Sequence, residues 1–199
     1  MKKFLPLQAM IEVGIFAGLA MLLDLLPSIK PIPSISISFA MVPIFIVAFR
    51  WGVKSGFISG LIWGILQVIT GEAWMVTPVQ TIIEYFIAFN CIGFAGLLAP
   101  AAQKAATSRN RGPLILAMTI GIFIGSLARY VWHFLAGIIF FANYAHEAGK
   151  APIVFSFVTN GISMVTNFII CSVILSIIMT IRPELLTNNK PKNPIQKAA

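Results

Sequence analysis

Charged side chains are scarce in this sequence. Only 6 acidic and 14 basic residues occur among 199, so 10% of the chain is charged, against about 25% in a soluble domain. So few charges cannot cover a water-exposed globule, which excludes an ordinary soluble enzyme, a disordered chain and a coiled coil. The hydrophobic share of 58% and the 12 prolines are typical of helical proteins that cross a membrane several times.

Cysteine and catalytic motifs are also scarce. The two cysteines, Cys91 and Cys171, lie within apolar runs, where a thiol is a packing residue and no disulfide framework is indicated. The sequence has no phosphate-binding glycine loop, no zinc signature and no nucleophile elbow. We therefore expect a protein that is not an enzyme and holds no cofactor or metal. Any ATP hydrolysis that it uses must take place in another chain.

Six apolar segments predict the architecture. They cover residues 6–26, 39–49, 55–70, 78–100, 113–141 and 152–181, and the second and third are short for full spans. A span needs about 20 residues, so the length allows about six helices and no sizeable soluble domain. The sequence thus predicts an all-α integral membrane protein with six transmembrane helices. One membrane domain occupies residues 1–182, and a polar, disordered cytoplasmic tail follows at 183–199.

Basic residues are distributed unequally between the two ends of these segments. With six spans both termini lie on one side, and that side receives eleven basic residues, whereas the other receives only Lys30 and Lys150. The eleven are Lys2, Lys3, Arg50, Lys54, Lys104, Arg109, Arg111, Arg182, Lys190, Lys192 and Lys197. The positive-inside rule then predicts cytoplasmic N- and C-termini. The positive charge indicates contact with anionic lipids rather than with nucleic acid.

Glycines recur every four residues in two segments. They are Gly14 and Gly18 in the first segment, and Gly52, Gly56, Gly60 and Gly64 in the third. This spacing places each set on one helix face, which a second helix can approach closely. Two interpretations are open, namely packing within the bundle and docking of a separate membrane partner.

Polar residues at membrane depth are the candidate functional site, because their burial in lipid is costly. Glu84 lies in the fourth segment, Arg129 and His133 share a face of the fifth, and Asn160 lies in the sixth. These groups can converge on one cavity near the outer leaflet. A buried carboxylate among aromatic rings suits a cationic aromatic ligand, which it attracts by charge pairing and cation–π contact.

Simpler interpretations of these residues stay open. Glu84 and Arg129 could merely neutralise each other, His133 could be a core histidine, and Asn160 could join two helices by hydrogen bonding. Aromatic residues nearby, Trp74 among them, are most simply packing or interface-belt residues. A metal site built from Glu84, His133, His146 and Glu147 would not have a recognised ligand spacing.

Several sequence runs resemble a known family. They are residues 59–66 (SGLIWGIL) with 69–71 (ITG), the pair Glu84-Tyr85, residues 130–140 (YVWHFLAGIIF) and residues 160–163 (NGIS). In this order and spacing they closely resemble the thiamine-specific S-component (ThiT or YuaJ) family of energy-coupling factor (ECF) transporters. The likeness extends from Glu12 to about Ile181. It implies a six-helix S-component fold in the bacterial plasma membrane that binds thiamine with high affinity from the outside.

The resemblance also implies partners. S-components of this group dock on one transmembrane coupling protein and two ABC-type ATPases. The family docks through a small-xxx-small motif in its first helix, which corresponds to Gly14 and Gly18 here. Glycine in place of the usual alanine keeps this surface flat.

The binding residues of the family are implied position by position. Its Glu-Tyr pair corresponds to Glu84 and Tyr85, and its histidine, glycine and asparagine correspond to His133, Gly137 and Asn160. Its lysine is replaced by Arg129, which keeps the charge but changes the donor geometry. Three aromatic positions differ: a stacking Trp is Phe141 here, a Tyr is Phe155, and a loop Trp falls near Ser34.

Alternative functions remain at this stage. An S-component for a pyrimidine or thiazole precursor of thiamine would keep the fold and change the ligand. A stand-alone secondary transporter would need inverted repeats and broken helices, of which no convincing repeat is visible. A membrane enzyme that used Glu84 and His133 as an acid–base pair would need a nucleophile or metal partner that is not evident.

Overall fold

A computed structural model of the chain describes residues 5–25 and 38–187, and all regular structure within these ranges is helical. The prediction of an all-α membrane protein is therefore confirmed. Ser34 and the six lysines at positions 2, 3, 30, 190, 192 and 197 lie outside the described residues.

Within the described residues, six helices form the bundle. They are α1 (Leu7–Asp24), α2 (Val42–Trp51), α3 (Val53–Thr70), α4 (Pro78–Thr107), α5 (Arg111–Phe140) and α6 (Pro152–Ile181). A short connecting helix, Ala142–Glu147, precedes α6, and a 3₁₀ turn, Pro183–Leu186, follows it. Five of the six are long and apolar enough to cross a membrane, whereas α2 has only 10 residues. The predicted segments thus become helices, and the shortness expected of the second segment is real.

The short helix α2 lies at the centre of the bundle. Ile44, Phe45, Val47, Ala48 and Phe49 have no accessible surface. On α6, by contrast, Val165, Ile169, Val173 and Ile177 are each more than half exposed and recur every four residues. A continuous apolar stripe of this kind on an outer helix is suited to lipid contact.

The basic side chains of the described residues lie mainly at one end of the bundle, which we call the basic end. It is formed by the carboxyl ends of α2, α4 and α6 and the amino ends of α3 and α5. Its basic residues are Arg50, Lys54, Lys104, Arg109, Arg111 and Arg182, whereas Lys150 lies at the opposite end. The asymmetry agrees with the predicted topology, and the orientation in the membrane stays a prediction.

An ion pair at the basic end joins α1, α2 and the C-terminal turn. Arg50 Nε lies 2.7 Å from Glu12 Oε2, and the indole Nε1 of Trp51 donates to the same oxygen at 2.7 Å. Arg50 Nη1 also donates to the carbonyls of Leu185 and Thr187. The contacts of Arg50 thus reach the C-terminal turn as far as Thr187.

The two sets of glycines have different roles. A Cβ atom at Gly60 or Gly64 would overlap the backbone carbonyls of Phe89 and Tyr85 in α4, so the packing interpretation is confirmed for these two glycines. Gly52 instead precedes α3 and has no atom within 4 Å of an added Cβ. At Gly14 and Gly18 in α1, no atom lies within 4 Å of an added Cβ. The glycine face of α1 is thus open, and nothing in the described bundle covers it.

We expect Gly64→Ala to destabilise the protein, because the new methyl group must push α4 away from α3. Overpacking of this kind lowers the free energy of unfolding by about 1–3 kcal/mol, which thermal unfolding in detergent would detect as a lower Tm. Gly14→Ala is the control, since its methyl group meets open space. Equal Tm values for the two variants would contradict this account of the packing.

Candidate ligand-binding site

Two adjoining cavities lie at the end of the bundle opposite the basic end. The first cavity has a volume of about 300 Å³ and the second about 200 Å³. Both are lined by Trp74, Tyr85, His133 and Asn160, so they are two compartments of one site.

The residues singled out in the sequence converge on this site. Those that line the second cavity are Glu84, Tyr85, His133, Gly137, Phe141, Phe155 and Asn160. Arg129 lines the first cavity. They come from α4, α5 and α6, with Phe141 directly after α5, so helix packing has gathered residues up to 76 positions apart, from Glu84 to Asn160.

Glu84 and Tyr85 lie in an irregular part of α4. Residues Ile82–Ala88 form a π-helix, and a 3₁₀ segment, Ile92–Leu98, follows. π-Helical turns are rare and occur often at functional sites, because the extra residue in the turn redirects the side chains. The absence of a side chain at Gly64 lets α3 pack against the Tyr85 carbonyl within this turn.

A chain of hydrogen bonds links α5 to the carboxylate. Arg129 Nε donates to His133 Nε2 at 3.1 Å, and His133 Nδ1 lies 3.1 Å from Glu84 Oε1. An arginine N–H can only donate, so Nε2 is the acceptor nitrogen of the imidazole and Nδ1–H donates to the carboxylate. His133 therefore bridges the two charges, in place of the direct Glu84–Arg129 pair that was the simpler interpretation.

The guanidinium of Arg129 lies between aromatic rings. Its Cζ is 4.2 Å from the ring centroid of Phe89 and 5.3 Å from that of Trp63. Cation–π attraction favours a planar guanidinium in this place. The sequence did not single out either ring, because both lie in apolar runs without a polar marker.

An aromatic cluster borders the second cavity. The ring of Trp74 packs edge-on against Phe141 and Tyr144, with centroids 5.4 and 5.3 Å apart. The backbone N–H of Trp74 donates to the hydroxyl of Tyr85 at 2.8 Å. Trp74 is therefore part of the site, and its simplest interpretation as a membrane-interface anchor was incomplete.

Gly137 and Asn160 lie where α5 and α6 touch. A Cβ atom at Gly137 would overlap the side chain of Ser156, whose hydroxyl donates to the carbonyl of Phe134 at 2.8 Å. Asn160 Nδ2 donates to the Ser156 hydroxyl at 3.1 Å. The glycine thus permits the close approach of the two helices that holds Asn160 at the wall of both cavities.

The polar wall of the first cavity was missed in the sequence. Asp24 accepts hydrogen bonds from Gln67 Nε2 and from the Ser38 hydroxyl, and Asn167 Oδ1 accepts from the Ser38 backbone at 2.8 Å. Asp24 and Gln67 lie near helix ends, Ser38 precedes α2 and Asn167 lies in the middle of α6, and no pattern in the sequence connects them.

The groups at the site favour an organic ligand. Within residues 5–25 and 38–187, no three His, Cys, Asp or Glu side chains are grouped so that they could hold one. Carboxylate, imidazole, amide and aromatic groups together instead suit an organic ligand with a positive charge and a flat ring.

Comparison with known proteins places the chain in a family. Residues 10–187 match the family described as a thiamine transporter protein (Thia_YuaJ). The chain belongs to this family. It is 37% identical over 183 residues to the thiamine transporter ThiT of Bacillus subtilis (strain 168). The aligned residues cover 91% of this chain and 95% of that protein.

A second relative and a solved structure support the assignment. The chain is 31% identical to the thiamine transporter ThiT of Lacticaseibacillus paracasei over the full length of both. Its fold is similar to that of ThiT from Listeria monocytogenes, with a TM-score of 0.88, 34% identity and coverage of 91% of this chain and 98% of that one. The family resemblance inferred from the sequence runs is confirmed, and the chain is a multi-pass membrane protein of a transporter family.

We expect His133 to be the neutral Nδ1–H tautomer, since Arg129 occupies Nε2 as a donor. ¹⁵N NMR of histidine-labelled protein in detergent would report the protonated nitrogen. His133→Gln assigns the signal, and the exposed His146 provides the internal comparison. A proton on Nε2 of His133 would contradict the hydrogen-bond direction inferred here.

Proposed function

We propose that this protein is a high-affinity thiamine-binding subunit, an S-component, of an ECF-type importer. The observation that carries the proposal is the position of Glu84. This carboxylate lies at the wall of an aromatic-bordered cavity and accepts a hydrogen bond from His133, in a chain of the thiamine transporter family. The site is thus suited to a flat cation.

The chemistry of thiamine matches the groups at the site. Thiamine combines a permanently charged thiazolium ring, an aminopyrimidine with donors and acceptors, and a hydroxyethyl arm. In the proposed complex Glu84 provides the negative charge, Phe141 provides a stacking face and Asn160 hydrogen-bonds the pyrimidine edge. His133, Tyr85 and Arg129 bind polar ends of the ligand or support Glu84.

The changed aromatic positions are compatible with this ligand. Phe141 keeps a ring for stacking, and Trp74 packs against it at the edge of the cavity. Phe155 lines the cavity without a hydroxyl group, so it offers contact area and no hydrogen bond. A precursor that carries only the pyrimidine or only the thiazole ring is the alternative ligand.

Transport itself requires partners in this proposal. ATP is hydrolysed by two ABC-type ATPases, and a transmembrane coupling protein binds the open face around Gly14 and Gly18. Support comes from the empty space above both glycines, because small residues allow the backbones of two membrane helices to approach closely. The basic end, with both termini, faces the cytoplasm.

Thiamine binding is tested by tryptophan fluorescence of the purified protein. Three tryptophans report on the site: Trp63 and Trp74 line it, and Trp132 adjoins His133. We expect saturable quenching by thiamine at nanomolar concentrations. If only a pyrimidine or thiazole precursor gives saturable quenching, the protein is an S-component for that ligand instead. If no ligand changes the fluorescence and calorimetry detects no binding, the proposal is refuted.

Glu84→Gln removes the negative charge that is proposed to pair with the thiazolium ring and keeps the shape of the side chain. We expect thiamine affinity to fall by at least about tenfold, because a hydrogen bond to a charged group is worth roughly 1.5–3 kcal/mol. Glu147→Gln is the matched control, since Glu147 is exposed at the end of the connecting helix. Unchanged affinity in Glu84→Gln would exclude this role.

Docking is tested by filling the glycine face of α1. We expect Gly14→Leu combined with Gly18→Leu to bind thiamine normally and to abolish thiamine uptake by cells, because the partner helix can no longer approach. Val165→Phe enlarges an exposed residue on α6 and should leave uptake intact. Uptake that stops when the proton gradient is collapsed with ATP maintained would instead indicate a stand-alone secondary transporter.

A further inference from the structure

Gln80 is a completely buried glutamine beside the site whose side chain has four hydrogen-bond partners, one of them the adjacent Thr81 hydroxyl, which donates to Oε1 at 3.5 Å. Its Oε1 accepts from the backbone N–H of Val76 at 3.0 Å, and its Nε2 donates to the carbonyl of Trp74 at 3.0 Å. The same Nε2 donates to Glu84 Oε2. Gln80 lines neither cavity, so it can influence a ligand only through its neighbours.

The partners fix the orientation of the Gln80 amide. A backbone N–H can only donate, so the Val76 amide requires Oε1. A backbone carbonyl can only accept, so that of Trp74 requires Nε2. Rotation of the amide by half a turn would lose both bonds, and it would also place an oxygen against the Glu84 carboxylate. An N–H of Gln80 is therefore held toward Glu84.

Both the backbone and the side chain of Gln80 hold the loop between α3 and α4. Thr77 caps the start of α4 by accepting from the Gln80 backbone N–H at 3.1 Å. The backbone of Trp74 is held at both polar groups, since its N–H donates to Tyr85 and its carbonyl accepts from Gln80. The position of the Trp74 ring against Phe141 thus depends on side chains of α4.

We propose that Gln80 is a positioning residue that couples the Glu84 carboxylate to the loop that carries Trp74. By holding one carboxylate oxygen, with His133 holding the other, it fixes the plane of the anionic group that faces the ligand. By holding Val76 and the Trp74 carbonyl, it keeps the aromatic edge of the cavity in place. The inference rests on the proposed function insofar as the ligand is thiamine.

Two variants of Gln80 separate positioning from packing. Gln80→Glu keeps the shape and presents a carboxylate in place of the amide donor to Glu84 and the Trp74 carbonyl, whereas Gln80→Leu removes all polar atoms. We expect both to weaken thiamine binding about ten- to a hundredfold. Gln103→Leu is the matched control, because Gln103 also donates to two backbone carbonyls, those of Phe49 and Arg50, at the basic end. It should lower thermal stability and leave affinity unchanged.

A double-mutant cycle tests whether Gln80 acts through Glu84. In the Glu84→Gln background, with titrations extended to millimolar thiamine, we expect the affinity loss from Gln80→Leu to be at least about threefold smaller than in the wild-type background, because the carboxylate that Gln80 orients is already gone and only its contacts with the Trp74 loop remain. Wild-type affinity in Gln80→Glu and Gln80→Leu would overturn the proposal. An equally large loss in both backgrounds would show an independent effect and would also overturn it.

Hydrogen–deuterium exchange of the ligand-free protein tests the link to the loop without thiamine. We expect the peptide over residues 72–79 to exchange faster in Gln80→Leu, since the Val76 amide loses its acceptor, while Gln103→Leu leaves it unchanged. Unaltered exchange in Gln80→Leu would refute the coupling. A wild-type protein that binds no thiamine would refute the proposed function alone, because this exchange experiment would still decide the role of Gln80.

Discussion

A carboxylate inside an apolar bundle is the constraint on which the site depends. Burying an unpaired charge costs several kcal/mol, so Glu84 requires donors on its oxygens. His133 donates to one oxygen and Gln80 to the other. His133 is in turn oriented by Arg129, whose own charge rests against the ring of Phe89. Hydrogen bonds thus join side chains of α4 and α5 in a single polar network.

Close helix packing brings this network together. Gly60 and Gly64 let α3 lie directly against the backbone of α4, and Gly137 leaves room for the Ser156 side chain between α5 and α6. The π-helical turn of α4 lies opposite Gly64 and carries both Glu84 and Tyr85. The helices thus approach closely where glycines lack side chains, and the irregular turn carries polar groups that line the remaining cavity.

Much of the site could be predicted from the sequence because rare residues mark it. Polar groups within apolar segments are few, and Glu84, Arg129, His133 and Asn160 were recognised for that reason. The resemblance to a family added binding roles for Tyr85, Gly137, Phe141 and Phe155. The structure brings all eight to one pair of cavities.

Other parts of the site could not be predicted, since their importance lies in contacts between distant segments. Gln80 looks like any polar residue near a helix start, and Trp74 like an interface anchor, until the loop folds back onto α4. Asp24 and Gln67 meet only because the ends of α1 and α3 lie together. The glycine repeats of α1 and α3 are equivalent in sequence, and only packing distinguishes them.

The class of protein, the number of helices and the unequal distribution of charge between the two ends follow from composition and hydropathy, which act locally along the chain. The tertiary structure decided which partner each polar group has: that His133 separates Arg129 from Glu84, that Gln80 ties Trp74 to the carboxylate, and that Gly14 and Gly18 face open space. Hydrogen bonds and steric fit act over a few ångströms, and only the packing of the helices brings those atoms within reach of one another.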